Sequence, residues 1–291
     1  VHLFVIHVFE NCNASSAGLK RSYQITKING QSMHARELIN EITQSESISL
    51  TYINEHGIAV DTSMHKGECN FNTVLHSQVF STGNMKIGYI VYNSFVDVLF
   101  DQEILPSFQL FESENIDKLI IDLRYNGGGG VNSADKLLDV IAGSKLVSNI
   151  KWKLNHNSTK RAYNSVTYFK QGSIQLNYLD RVFFLNSANT ASASELIQLG
   201  LMDYQSDIAS TRVGSHTNGK PFGMYGFERD NYMFWPICFR MSSGNGFTDY
   251  VSGLSPDISV TVDAIYPWGT PQDPLLRAVF IELGIIPMEP L

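Results

Sequence analysis

The chain has 291 residues, 43% hydrophobic and 17% charged, enough to bury one large core or a large and a small one. Its formal net charge is −7 and no block of Lys or Arg stands out, which argues against a nucleic-acid or anionic-membrane surface. No apolar run approaches the ~18 residues of a membrane-spanning helix, and the opening "VHLFVIHVF" lacks the basic start and small-residue cleavage site of a signal peptide.

In chain order, "VHLFVIHVF" predicts an apolar strand. "YQITKI" predicts a second, ended by the Asn29-Gly30 turn. "ARELINEIT" sets Leu38, Ile39 and Ile42 at helical spacing, and "SISLTYI" alternates as a strand does. Together they predict a compact module over 1–60. The polar stretch 61–84 reads as a linker with one strand at most. From 85 to 291 a larger core follows. "KIGYIVYNSF" is a strand, "EILPSFQLFESENI" a helix and "KLIIDLRYN" a buried strand. "GGGG" interrupts, and "VNSADKLLDVIAG" is a helix closed by Gly143. "RVFFLNS" is again a buried strand and "SASELIQLGLMDY" again a helix. Strand–loop–helix recurring in this way predicts a mixed α/β fold with parallel core strands. Ligands then sit beyond the carboxyl ends of the strands, where "NGGGG" and "NTASAS" both fall. The three cysteines, Cys12, Cys69 and Cys238, are widely spaced without a CxxC pair. They read as isolated thiols in small apolar roles, with no metal site expected.

Two loops carry candidate chemistry. Four glycines between a strand and a helix let backbone N–H groups face a cavity. Such a loop can hold a phosphate, hold the oxyanion of an acyl-transfer intermediate, or simply turn the chain. A P-loop would require Gly-Lys-Ser/Thr at the helix start, and Val131-Asn132-Ser133 stands there instead. In "NTASASE", Ser192 and Ser194 precede a helix. A hydroxyl there caps the helix, or acts as a nucleophile near its N–H groups. A serine needs a base to be a nucleophile. Lys220, in the glycine-rich "VGSHTNGKPFG", is one candidate, since a desolvated lysine can lose its proton near neutral pH. His216 is another, for a Ser/His/Asp esterase, although the GxSxG elbow is absent.

At this point the chain resembles the tail-specific, or C-terminal processing, peptidases, which are serine–lysine proteases with a PDZ-like domain. The resemblance runs through "AGLKRSYQITKINGQSM", "KLIIDLRYNGGGGVNSA", "NTASASELIQLGLMDY", "GSHTNGKPFG", "SGLSPDISV" and "DPLLRAVF", in the family's order over nearly the whole chain. "KIGYIVYNSF" and "WPICFRMSSGNGFTDY" look like a branch common in Bacteroidetes-like bacteria. The resemblance implies a ClpP/crotonase-like β–α core with parallel strands plus a small PDZ-like β-rich domain. It implies Ser192 as nucleophile and Lys220 as general base. The oxyanion hole would be the N–H of Ala193 with that of Gly128 or Gly129. Ser194 and Asp203 would support the site, and Asp122 and Arg124 would brace the loop as an ion pair. The implied substrate is an extended polypeptide, presented by a C-terminal tail to the PDZ-like module. No metal, cofactor or nucleic acid is implied.

The chain also departs from that family. The Ser192-to-Lys220 interval is a few residues longer than usual, as if "SDIAST" carried an insertion. Many members have a glutamine four residues after the lysine, where this chain has Met224. "KRSYQI" replaces the usual Gly-Asp, and the module begins abruptly, without the loop that grips a terminal carboxylate. The Met224 departure motivates a rival reading, a peptide-binding scaffold of the same fold with weak or no activity. By resemblance the location would be periplasmic or envelope-anchored, with membrane association through a segment upstream of Val1.

Overall fold

The computed structural model describes residues 3–32 and 35–285. The first unit is a four-stranded antiparallel sheet with two helices. In chain order it contains β1 (Leu3–Phe4), α1 (Asn13–Ser16), β2 (Gln24–Ile28), α2 (Ala35–Gln44), β3 (Ser47–Ile53) and β4 (Ala59–His65), and its strand order is β1-β2-β3-β4. Asn29 and Gly30 both take positive φ, which turns the chain after β2 as the Asn-Gly pair predicts. Leu19, Tyr23, Ile28, Leu50 and Tyr52 fill its small core, with Tyr23 and Tyr52 stacked. The helix predicted over "ARELINEIT" is present as α2, although the Leu38 and Ile39 side chains lie outside the described set, as do Val1 and His2. The long opening strand is not seen. Pairing with β2 stops after Phe4, and the chain continues through single bonds such as Val5 N–H to the Tyr23 carbonyl.

Two expectations are corrected here. Cys12 and Cys69 are joined in a disulfide, across 57 residues with Cα atoms 5.2 Å apart, and only Cys238 is a free thiol. The antiparallel return of β4 brings residue 69 back to the start of α1, a contact that spacing alone does not reveal. The stretch 61–84 is also not a linker. It completes β4, which pairs with β3 along its length, and then forms β5 (Val74–Thr82).

The second unit is built on a six-stranded sheet. After β5 come β6 (Met85–Tyr92), α3 (Leu105–Ser113), β7 (Lys118–Asp122), α4 (Val131–Ala142), β8 (Ile150–His156), β9 (Ser165–Tyr168), β10 (Arg181–Asn186), α5 (Ala193–Leu201) and β11 (Ala209–Gly214). Then follow β12 (Phe222–Met224), β13 (Phe227–Arg229), β14 (Tyr232–Phe234), β15 (Ile237–Ser243), β16 (Ile258–Ser259) and α6 (Pro274–Glu282). The sheet order is β16-β11-β10-β7-β6-β5, parallel throughout except for the β5–β6 pair. This is the mixed α/β class with a parallel sheet that the strand–loop–helix rhythm predicts.

The alternation of side chains explains why β7 and β10 read as unbroken apolar runs. Leu119, Ile121, Val182 and Phe184 face one core, with α3, α4 and α5. Ile120, Phe183 and Leu185 face the other, with Leu276 and Val279 of α6. With both faces covered, neither strand needs a polar side. Each fully buried Leu, Ile or Phe contributes roughly 1.5–3 kcal/mol. A second, antiparallel sheet, β12-β15-β8-β9, packs beside α5. β13 and β14 form a separate hairpin.

Arg21, from the first unit, binds the two units together. It is 9% exposed and lies 3.3 Å above the Trp268 ring centroid. Its Nε donates to the Tyr266 carbonyl at 2.7 Å and its Nη1 to the Ile6 carbonyl at 2.5 Å. Tyr125 also lies under this guanidinium, and it is adjacent in sequence to the glycine loop.

Candidate active site

Three loops, each at the carboxyl end of a parallel strand, meet at one place. They follow β7, β10 and β11, the central neighbours of the sheet. The first is held from below by Arg124. Its Nε and Nη2 donate to Asp122 at 2.9 and 2.7 Å, and its Nη1 and Nη2 to Asp273 at 2.7 and 3.1 Å. All three side chains are buried. Burial alone would lower the guanidinium pKa, but Asp122 and Asp273 outweigh it and raise it. Asp273 also caps α6 through the Leu275 N–H, so one carboxylate joins the loop to that helix. The expected Asp122–Arg124 pair is therefore present, with Asp273 as a third member.

Asn126 shapes the loop itself. It is fully buried, and its side-chain amide donates to the Tyr92 carbonyl at 2.9 Å. Its Oδ1 accepts the Gly128 N–H at 2.8 Å, and its own carbonyl accepts Ala191 N–H and Ser194 Oγ–H. The Gly128 N–H is thus committed and does not point into an open site. The space Gly128 leaves matters more. A Cβ there would lie 2.8 Å from the Ala191 carbonyl, 2.8 Å from Ser192 Cβ and 2.9 Å from Ala193 N, and φ is +101°. At Gly129, with φ +139°, a Cβ would collide with the Phe95 carbonyl at 2.1 Å. Only glycine lets this loop lie against the start of α5. Among the described residues, the Gly129 and Ala193 N–H groups have no hydrogen-bond partner.

Ser192 stands at the N-cap of α5 with φ +57° and ψ −113°, a strained backbone for a residue with a Cβ. Around it Thr190 donates to the Leu123 carbonyl, and Ser187 to that of Arg124, tying the second loop to the first. Ser194 is fully buried and donates to the Asn126 carbonyl, so it supports the loop and is not open to a ligand.

The third loop brings in Lys220, and Glu195 positions it. This glutamate is fully buried. It accepts Ser192 N–H at 2.8 Å, Thr217 Oγ–H at 2.5 Å, Gly219 N–H at 2.7 Å and Lys220 N–H at 2.9 Å. Thr217 in turn accepts Leu254 N–H, and Asn218 N–H donates to the Thr190 carbonyl. Glu195 and Thr217 are the residues that sequence reasoning missed. The signal was present as a capping box, Ser192-x-x-Glu195, in which the N3 carboxylate folds back on the N-cap N–H.

Among the described residues, no hydrogen bond joins Lys220 Nζ to Ser192 Oγ, and the ammonium has no ion pair. Met224 lies in β12, opposite Ile237 of β15. Asp203 accepts Ser243 Oγ–H and Asn245 N–H, and so anchors the turn after β15 rather than the site. His216 is exposed. The described residues contain no His/Cys/Asp/Glu cluster able to hold a metal, and no helix long and apolar enough to cross a membrane.

Comparison with known proteins places this arrangement. The model of peptidase family S41 matches residues 86–260. The carboxy-terminal processing protease CtpB of Bacillus subtilis is 23% identical over 269 residues, which cover 89% of this chain and 52% of CtpB. A probable CtpA-like serine protease of Staphylococcus aureus is 22% identical over 253 residues, covering 85% of this chain and 48% of the relative. The chain therefore spans about half the length of the curated relatives it matches. A solved structure from Bacteroides fragilis, assigned to the S41 proteases, superposes with a TM-score of 0.84 at 20% identity, over 98% of this chain and 79% of that one. The photosystem II D1 C-terminal processing protease gives 0.55 at 16% identity, over 89% and 68%. At those identities the structural likeness speaks for the fold, and the family match, over more than half of the chain, for the kinship. The chain belongs to peptidase family S41.

Proposed function

We propose that the chain is a serine endopeptidase that cleaves extended polypeptide through Ser192 and Lys220. The observation that carries this is the strained Ser192 at the start of α5, bound through one buried carboxylate to the backbone of Lys220. Strain of this kind concentrates at functional sites. The Lys220 amine takes the Ser192 hydroxyl proton as Oγ attacks the scissile carbonyl. The resulting oxyanion is received by the N–H groups of Ala193 and Gly129. The lysine then protonates the leaving amine, and water hydrolyses the acyl-enzyme.

The first unit is the PDZ-like module in this reading. It adds a C-terminal tail as a strand beside its opening segment and α2. The setting is extracytoplasmic, periplasmic or at the envelope, and the Cys12–Cys69 disulfide supports an oxidising compartment. Met224, and the absence of a hydrogen bond from Lys220 Nζ to Ser192 Oγ among the described residues, favour a second reading, a peptide-binding scaffold of weak or no activity. Replacing Ser192 or Lys220 by alanine separates the two on unstructured, tailed polypeptides. Loss of cleavage in both variants is expected. Turnover unchanged in either one overturns the assignment, and no turnover in the unaltered chain favours the scaffold.

A further inference from the structure

Beyond the catalytic loops, the second sheet and the β13–β14 hairpin enclose a cleft of about 420 Å³. Tyr163, Tyr225, Phe227 and Ile237 line it, with His156 and Lys160. The four apolar residues are 44–64% exposed, so the walls are built and open to solvent. Beside them on the hairpin Tyr232, Phe234 and Trp235 are exposed by 55% or more. Apolar surface of this extent on a short hairpin marks an interaction site.

Charge narrows the occupant. Between Asp139 and Asp180 the chain has no acidic residue but carries Lys145, Lys151, Lys153, Lys160, Arg161 and Lys170. Lys160, in the cleft lining, and Arg161 have no ion-pair partner among the described residues. In the hairpin register Phe227 pairs with Phe234 and Arg229 with Tyr232, so these four share one face while Glu228 and Met233 take the other. On a chain of net charge −7, the cleft thus has Lys160 in its lining, with Arg161 next to it in sequence and Arg229 on the Phe227 face of the hairpin. His156 stacks on Tyr225, and its buried Nδ1 has no partner among the described residues.

Position points to substrate. β12 begins two residues after Lys220 and is an edge strand, whose outer backbone side, unpaired among the described residues, can receive an extended segment. Tyr225 follows directly. At about 3.3 Å per residue, five residues of extended chain reach from Lys220 to the cleft. Resting on the peptidase reading above, we propose that this cleft selects the polypeptide substrate. It takes an aromatic or large aliphatic side chain about five residues from the scissile bond, with flanking carboxylates on Lys160, Arg161 and Arg229.

The test uses the full chain carrying Ser192→Ala and short unstructured peptides labelled with fluorescein, read by anisotropy. Peptides with a Glu-Phe-Asp segment should bind roughly tenfold or more tightly than those with Glu-Ala-Asp or Lys-Phe-Lys. Phe227→Ser and Lys160→Glu, both exposed positions, should each remove that preference, and the bound peptide should slow alkylation of Cys238 in the cleft wall. With Ser192 intact, the same two changes should raise KM without lowering kcat. Equal binding of all three peptides overturns the proposal. So does self-association, or sedimentation with anionic phospholipid vesicles, that is lost in Phe227→Ser, since either would give the face a different occupant. Cleft-dependent binding without cleavage by the unaltered chain refutes the peptidase and leaves the cleft standing. Cleavage indifferent to the cleft does the reverse.

Discussion

Ser192 and Lys220 donate their backbone N–H groups to the same oxygen, Glu195 Oε2, at 2.8 and 2.9 Å. The proposed nucleophile and base are carried by different loops, 28 residues apart, yet a single buried atom sets their separation at the backbone. The root of the lysine side chain is held by that bond, and its Nζ has no ion pair among the described residues.

Glu195→Gln tests that bridge. The amide keeps the shape but turns one acceptor into a donor facing backbone N–H groups. We expect a loss of about 1–3 kcal/mol in urea unfolding for a buried donor left unsatisfied. We also expect kcat to fall by roughly two orders of magnitude, with KM changed little. A merely structural role would move stability and leave kcat in the remaining folded protein intact.

Gly128→Ala tests the clearance in the first loop. The added methyl meets three atoms of the Ser192 segment below 3 Å, at a positive φ. The strain costs on the order of 1–3 kcal/mol. Because the atoms displaced include Ser192 Cβ and Ala193 N, activity should fall by about 10²-fold. Peptide hydrolysis and thermal unfolding of the same preparation read both effects.

These expectations rest on features of unequal visibility in the sequence. β7 and β10 were legible because burial on both faces leaves an unbroken apolar run, and α4 because Gly143 marks its end. Ser192, Ala193, Ser194 and the glycine loop were legible as small residues placed after such strands. The second sheet was not. Its strands β8 and β9 carry polar and basic side chains, and β12, β13 and β14 are three residues each, too short for a period to show. Cys12 and Cys69 gave no sign of pairing, since tertiary return of the chain creates their contact. Glu195 was readable as a capping box, but its second task, gripping the Lys220 loop, depends on Thr217 and Gly219 arriving from β11.

Asp273→Asn tests the Arg124 clamp. Asparagine retains an oxygen able to cap α6, so the change isolates the charge. A buried guanidinium left with one carboxylate should cost about 3–5 kcal/mol in denaturant unfolding. A loss no larger than that of an ordinary cap substitution would contradict the clamp.

Reduction of Cys12–Cys69 should loosen the first unit and spare the second. Opening a loop of this length releases about 4 kcal/mol of constraint on the unfolded chain. Hydrogen exchange should therefore accelerate across residues 3–65 and remain slow in β7 and β10.

His7 gives a pH dependence. Burial, followed by the nearby Arg21 charge, lowers its pKa below the ordinary 6.5. The unfolded chain then binds the proton more readily than the folded one. The His7 contribution to stability is full above pH 6.5 and is lost as pH falls through the lowered folded value. In His7→Gln that part of the slope should vanish from urea midpoints measured across this range.

The most direct measurement is labelling of the folded chain with a fluorophosphonate, with the modified residue located by mass spectrometry. A single adduct on Ser192 is expected, absent in Ser192→Ala and slowed by at least about 10²-fold in Lys220→Ala. An adduct on another serine, or labelling of Ser192 at an unchanged rate without Lys220, would contradict it.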